Sequence, residues 1–283
     1  MASITPAEFD TFSRLIQDTT GIALGAPKAY LIENRLAPLL KIYSCSSFSE
    51  LYYKTKNDQS GELVRMLIDK ITTQETSFFR DQAPFEMLKF KILPDLIDAR
   101  RRTARTAKVP IRIWSAACAT GQEIYSIAIA LKEALVDLSP YNVRIVGTDI
   151  SDAAVAKASL GEYSRLEWER GMPPEHLARY FQKNGDSHKI TDEIRSLVSF
   201  RRLNLLEDFS SLGRWDIVFC RNVAIYFSDE AKKDLFERIG RAMENDAFLV
   251  IGSTESLLGV CPSFESHRHL RSIYYQKKTA TQV

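Results

Sequence analysis

Residues 111–126 read IRIWSAACATGQEIYS, and residues 143–151 read VRIVGTDIS. Ile111, Ile113 and Trp114 open a short apolar run that suits a buried strand. The turn Ala116-Ala117-Cys118-Ala119-Thr120-Gly121 is made almost entirely of small residues. Over 123–133 the apolar positions fall at helical spacing, with Ile124, Ile127, Ala128, Leu131 and then Leu135. A second apolar run, 143–146, leads to Asp149. Strand, small turn, helix and a strand ending in an acid form the first half of a nucleotide-binding βαβ unit. The small turn lets ligand and backbone approach closely, and the acid can accept hydrogen bonds from ribose hydroxyls.

The phosphate-binding form of this turn is G-x-G-x-x-G, and here its three positions hold Ala117, Ala119 and Gly121. Alanine crowds a pyrophosphate, and no lysine follows as in a P-loop. A dinucleotide or nucleoside triphosphate is therefore disfavoured. A nucleoside ligand without phosphates remains, of which S-adenosylmethionine is the commonest. A parallel-sheet crossover with no ligand is the alternative for this motif alone.

The 283 residues are 45% apolar, enough for a sizeable core and for two domains. Lys+Arg is 38 against Asp+Glu 36, which carries no polyanion-binding signature. One basic run, Arg100-Arg101-Arg102-x-x-Arg105-x-x-Lys108, reads as a solvated helix end or as a docking patch for an acidic surface. The four cysteines form no C-x-x-C, and His267-x-His269 is the one close histidine pair, so no spacing reads as a metal site. The N-terminal MASITPAEFD does not read as a signal peptide. No apolar run approaches the about 20 residues of a membrane span. The expectation is a cytoplasmic protein with no membrane insertion.

Residues 1–90 read as an all-α domain. Thr5-Pro6-Ala7-Glu8 is a capped helix start with proline in the first turn, and Thr20-Gly21 is its stop. Tyr30, Leu31, Leu36, Leu39 and Leu40 mark a second helix, Phe48, Leu51 and Tyr52 a third, and Leu63, Met66, Leu67 and Ile71 a fourth. Residues 91–110 read as a linker. From 111 to 283 strand and helix alternate as a doubly wound, Rossmann-like α/β sheet requires, with later strands at Trp215–Cys220, 247–252 and 272–276 and a helix at 229–243. The rhythm breaks at about 160–200, where Gly171-Met172-Pro173-Pro174, Asn184-Gly185-Asp186 and short runs near 189–190 and 197–200 predict a small antiparallel β insertion.

Several separate stretches together resemble the chemotaxis receptor methyltransferase family, which methylates receptor glutamates with S-adenosylmethionine. They are ITTQETSFFR at 71–80, the loop at 114–126, GTDI at 147–150, Asn204-Leu205-Leu206, FCRNVAIYF at 219–227, and GSTESL at 252–257. Gly21-Ile22-x-Leu24 and Lys28-x-Tyr30-Leu31 extend the likeness into the helical domain. The chain departs from the family pattern at Gln74 (usually asparagine), at Ile124 (usually proline), and at Asn245-Asp246-Ala247, where the family has a Gly-Gly turn. The segment 180–200 is also short. A longer loop there accompanies binding of a pentapeptide tether at the receptor C-terminus, so the likeness implies a member that does not use the tether.

The resemblance implies S-adenosylmethionine as methyl donor and the cytoplasmic domain of membrane chemoreceptors as partner. The near-neutral charge and the lack of a basic aromatic platform speak against nucleic acid, and a monomer is the default expectation. Methyl transfer to a glutamate needs no general base, because the carboxylate is ionised at neutral pH (reference pKa about 4.3). The site must desolvate, orient and position it, and one arginine plus one hydroxyl suits that task. Arg80 is the expected arginine and Tyr226 the expected hydroxyl. Asp149 is expected to take the ribose hydroxyls. Glu123 is assigned to the cofactor's amino group, its alternative being stabilisation of the first helical turn. Gln74, Thr76 and Arg80 resemble contacts to the amino-acid end, Asn204 and Leu205 a pair flanking adenine, and Asn222 and Val223 contacts at a strand end. Ala117 and Gly121 are expected to line the loop. The competing readings are a methyltransferase acting on RNA or a small molecule, and a non-catalytic S-adenosylmethionine-binding module.

Overall fold

A computed structural model describes residues 3–103 and 108–278. The chain opens with four helices, α1 (Pro6–Thr20), α2 (Ala29–Ile42), α3 (Phe48–Asn57) and α4 (Glu62–Ile71). Thr5 and Glu8 form a reciprocal capping box at the start of α1, and Gly21, left-handed at φ +79°, ends it. Phe12, Ile16, Leu36, Leu39, Phe48 and Leu67 close a separate apolar core among these helices.

A longer helical stretch follows, α5 (Ala83–Met87), a π-helical turn at Leu88–Ile92, and α6 (Leu93–Thr103). The sequence reading made 91–110 a linker. Instead Leu88, Ile92, Leu93 and Leu96 are buried in the core of the α/β domain together with Ile113 and Ile127. Their spacing puts an apolar stripe on one helix face, and that stripe covers the sheet. The α/β unit thus begins well before its first strand. The basic run ends this helix. Arg100 binds Asp216 at 2.6 Å and Asp246 at 2.5 Å, so it braces the sheet rather than offering a docking patch. Arg105 lies outside the described residues.

The remaining elements are β1 (Val109–Ala116), α7 (Gln122–Ala134), β2 (Tyr141–Asp149), α8 (Asp152–Leu160), β3 (Glu162–Ser164), α9 (Arg165–Glu169), α10 (Pro174–Tyr180), β4 (Phe181–Asn184), β5 (Ser187–Ile190), α11 (Asp192–Arg195), β6 (Val198–Arg202), β7 (Trp215–Cys220), α12 (Asp229–Ala242), β8 (Met243–Ile251), β9 (Phe264–His269) and β10 (Ser272–Lys277). The main sheet runs β6-β2-β1-β7-β8-β10-β9. Its first five strands are parallel, while β10 is antiparallel to both neighbours. Strand residues alternate between two cores: Ile111 and Ile113 face α5–α7, whereas Trp114 and Ala116 face α12.

The insertion is a three-stranded antiparallel sheet, β3-β5-β4. It is smaller than the sequence suggested. The run at 197–200 belongs to β6, which pairs parallel with β2 from Ile145↔Val198 to Asp149↔Arg202. A short apolar strand carries no mark of which sheet it joins, and here parallel pairing claims it. The segment 245–247 is no turn either. It lies inside β8, where a register shift between Trp215 and Ile217 bulges exposed Asn245 and Asp246 toward Arg100. Strand β9 was not anticipated; its sequence, FESHRH, is mostly polar because it forms the sheet edge.

Candidate active site

In doubly wound sheets ligands sit beyond the carboxyl ends of the strands, where the strand order reverses. Here that place is β1, whose neighbours β2 and β7 run to either side. A cleft opens there between the sheet and the helical domain. From the sheet it is lined by Ala117, Cys118, Ala119, Glu123, Asp149, Ile150, Leu203, Asn204, Leu205, Arg221, Asn222 and Val223. From the helical side come Ile22, Leu24, Lys28, Arg35 and the segment 72–76, and Arg80, Tyr226 and Phe227 complete it.

The loop after β1 owes its shape to small residues. Ala117 and Ala119 both take positive φ, +59° and +48°. This folding turns the Ala119 amide onto Asp149, with N–H to Oδ2 at 2.9 Å. Ser151 N–H donates to the other carboxylate oxygen at 3.0 Å. Asp149 is buried, and that burial raises its carboxyl above the usual aspartate range against the pull of these amides. A buried acceptor with fixed donors behind it and a cleft in front suits a ribose diol. Burial likewise pushes the Cys118 thiol well up, so it remains protonated.

Across the cleft floor lies a charged chain. Glu123, in the first turn of α7, accepts from Ser115 Oγ at 2.8 Å and from Arg221 Nη1 at 2.9 Å. Arg221 Nη2 donates to Asp81 Oδ2 at 2.7 Å and to the Arg80 carbonyl at 3.0 Å. Its guanidinium lies over the Phe85 ring at 5.8 Å, and its Nε is buried with no hydrogen-bond partner among the described residues. Sequence reasoning quoted Arg221 within FCRNVAIYF but assigned it no role; an arginine at a buried strand end was the available signal. The strap it holds is unusual, with Phe79, Asp81 and Gln82 all at positive φ.

With Asp81 taken by Arg221, Arg80 is free of its neighbour. Among the described residues it forms no salt bridge, and its Nη1 donates to the Glu75 carbonyl at 3.2 Å. Tyr226 lines the same cleft, and its carbonyl accepts from Ala23 N–H of the helical domain at 2.8 Å. An isolated antiparallel bridge, Ile22 to Phe227, continues this junction. The Tyr226 hydroxyl has no hydrogen-bond partner among the described residues.

The other expected residues fall as follows. Gln74 Nε2 donates to Ser151 Oγ at 2.7 Å, two residues from Asp149. Thr76 lines the cleft between Gln74 and Arg80. Asn204 donates to the Thr19 carbonyl at 2.8 Å and accepts from Leu206 N–H, so its side chain joins the two domains. Leu205 and Val223 give the cleft an apolar patch. Asn222, at φ +57°, packs against Gly252, where a Cβ would sit 2.8 Å from its Nδ2. Gly121 is the exception, for it does not line the cleft. It caps α7 at φ +96°, and a Cβ there would sit 2.9 Å from both Ala158 Cβ and Tyr163 Oη. Its smallness lets α7 pack closely against Ala158 and Tyr163.

The residues present fit S-adenosylmethionine. They provide a buried acceptor suited to a diol, an apolar patch suited to a base, carboxylate and guanidinium groups at the far end, and a turn that carries Ala117 and Ala119 where a pyrophosphate-binding turn has glycine.

Two family models match consecutive parts of the chain: the all-alpha domain of CheR methyltransferases over residues 7–72 and their SAM binding domain over residues 74–271. Chemotaxis protein methyltransferase 1 of Pseudomonas aeruginosa is 39% identical, over 98% of this chain and 100% of its own. Chemotaxis protein methyltransferase of Vibrio parahaemolyticus is 37% identical, over 98% of each chain. Among solved structures, the plantazolicin methyltransferase BpumL in complex with a monoazolic desmethylPZN analog and SAH is a distant likeness, at 14% identity and TM-score 0.34 over 80% of this chain and 62% of that one. The chain belongs to the CheR methyltransferase family.

Proposed function

We propose that this methyltransferase esterifies glutamate side chains on the cytoplasmic domain of membrane chemoreceptors, with Arg80 and Tyr226 gripping the substrate carboxylate. One observation carries the reading: an arginine and a tyrosine hydroxyl that, among the described residues, have no salt bridge and no hydrogen-bond partner respectively line the same cleft as the buried Asp149. S-adenosylmethionine, when bound, supplies an electrophilic methyl on a sulfonium, whose sulfur departs with the bonding pair as an uncharged thioether. The chain's part is placement. Asp149 holds the ribose hydroxyls, Leu205 and Val223 contact the base, and Glu123 with Gln74 and Thr76 take the amino-acid end. Arg80 orients the incoming carboxylate through its planar fork, and Tyr226 donates one hydrogen bond. With the donor bound, a carboxylate oxygen would bond to the methyl carbon as the carbon–sulfur bond breaks, and no proton would have to move.

The absence of a proton step agrees with the site. Asp149 and Glu123, the carboxylates at its centre, are occupied by amides and by Arg221 and need not act as bases. Retention of Arg80 and Tyr226 favours an enzyme over a binding module, and a net charge of +2 disfavours an RNA substrate. The β4–β5 hairpin turns through Gly185 and Asp186 alone, which supports a tether-independent member. In this reading the enzyme is cytoplasmic and monomeric. No helix among the described residues is long and apolar enough to cross a membrane.

The test is transfer of radiolabelled methyl from S-adenosylmethionine to receptor-enriched membranes. Label that base releases as methanol supports a carboxyl ester. Base-stable label, or none while S-adenosylhomocysteine binds, overturns it.

A further inference from the structure

Asp69 lies on α4 of the helical domain and does not line the cleft. Its carboxylate nevertheless reaches the loop that carries the ribose acid. Ser151 Oγ donates to Asp69 Oδ1 at 2.6 Å. The same hydroxyl accepts from Gln74 Nε2 at 2.7 Å and from Ala154 N–H, at the start of α8, at 3.0 Å. Ser151 is fully buried.

A serine hydroxyl has one proton and two lone pairs. Both lone pairs are taken by donors, so the proton must go to an acceptor, and Asp69 supplies it. The serine's backbone N–H is meanwhile committed to Asp149 Oδ1. Removing the Asp69 acceptor leaves a buried O–H unsatisfied, and the loop must shift to hydrate it. Asp149 then loses the amide that aims its carboxylate. Gln74 adds to the same knot from the helical side, which gives the longer side chain at this position a purpose.

We infer that Asp69 is a positioning residue for the cofactor, acting through Ser151 on Asp149, so that the helical domain holds the ribose subsite in shape. This rests on the reading of Asp149 as the ribose-binding acid.

The test measures S-adenosylhomocysteine affinity of the full chain by calorimetry for Asp69→Ala, Asp69→Asn, Ser151→Ala, the Asp69→Ala/Ser151→Ala double variant and Asp149→Ala, with ligand-free melts. Asp69→Ala should weaken binding about tenfold, the loss expected for one buried hydrogen bond. The KM for S-adenosylmethionine should rise to match while the KM for receptor stays unchanged. Asp69→Asn keeps an acceptor and should bind like the parent. Asp69 Oδ1 also accepts a long bond from Ala153 N–H at 3.4 Å, so the double variant should bind at most slightly worse than Ser151→Ala, because the 2.6 Å bond from the Ser151 hydroxyl is the main link. Parental affinity in Asp69→Ala, equal damage from Asp69→Asn, or additive losses in the double variant would each overturn the inference. Should Asp149→Ala bind normally, the ribose reading falls and takes this inference with it. A loss in Asp149→Ala but none in Asp69→Ala removes this inference alone.

Discussion

Arg221 and Glu123 form an ion pair of 2.9 Å between the end of β7 and the first turn of α7, with the arginine side chain 1% exposed. The same guanidinium reaches Asp81 and the Arg80 carbonyl. One residue thus ties the floor of the cleft to the strap that carries Arg80.

Removing that arginine leaves two acids without their shared partner. Arg221→Ala should destabilise the protein by about 3–5 kcal/mol, the usual cost of breaking a buried pair from one side. Arg221→Lys keeps the charge but cannot hold Glu123, Asp81 and a carbonyl at once. It should fold and lose most activity. Urea denaturation and initial rates check both; an active, stable Arg221→Ala would show the network to be incidental.

Arg80→Ala should lower kcat by about a hundredfold, a size typical of losing one preorganised charge-stabilising donor. Affinity for S-adenosylhomocysteine should be largely intact. Tyr226→Phe should cost about tenfold in kcat, as expected for one hydrogen bond, with an unchanged melting temperature. If Arg80→Ala loses ligand binding and retains turnover at saturation, its substrate role is wrong.

Burial places the Asp149 carboxyl above its ordinary value of 3.8. Between 3.8 and that raised value the folded protein keeps a proton that the unfolded chain has released. This contribution therefore stabilises the ligand-free fold below the window and is lost as the pH rises through it. Ribose binding runs the other way, because the ionised form accepts from both hydroxyls. Calorimetric affinity for S-adenosylhomocysteine should rise with pH through a midpoint above 3.8, and Asp149→Asn should flatten the profile. A parallel rise in Asp149→Asn would assign the titration elsewhere.

Gly121→Ala forces a side chain into φ +96° and against Ala158 and Tyr163. The cost should be about 2 kcal/mol or more, combining backbone strain with overpacking. The urea midpoint should fall with no change in slope. An unchanged midpoint would mean that α8 moves aside freely.

Much of this site could be read from the sequence, because the turn at 116–121 and the acid at 149 are local patterns with local causes. Eleven of the expected positions, from Gln74 to Tyr226, converge on one cleft. Gly121 lies outside the cleft lining and packs against Ala158 and Tyr163; a glycine required by helix packing looks, in sequence, like one required by a ligand. Arg221 went unassigned because its partners, Asp81 and Glu123, come from distant segments. The supposed linker hid a core helix for a related reason: Leu93, Leu96 and Ile97 share a face only once the chain is coiled. Likewise a polar strand such as β9 earns its place from its neighbour β10, not from its own residues.

The most direct measurement is mass spectrometry of a chemoreceptor cytoplasmic fragment after incubation with this enzyme and S-adenosylmethionine. The account predicts one added methyl per modified site, located on glutamate side chains and removed by mild base. Methyl groups on another atom, or an unmodified fragment from enzyme that binds S-adenosylhomocysteine, would contradict it.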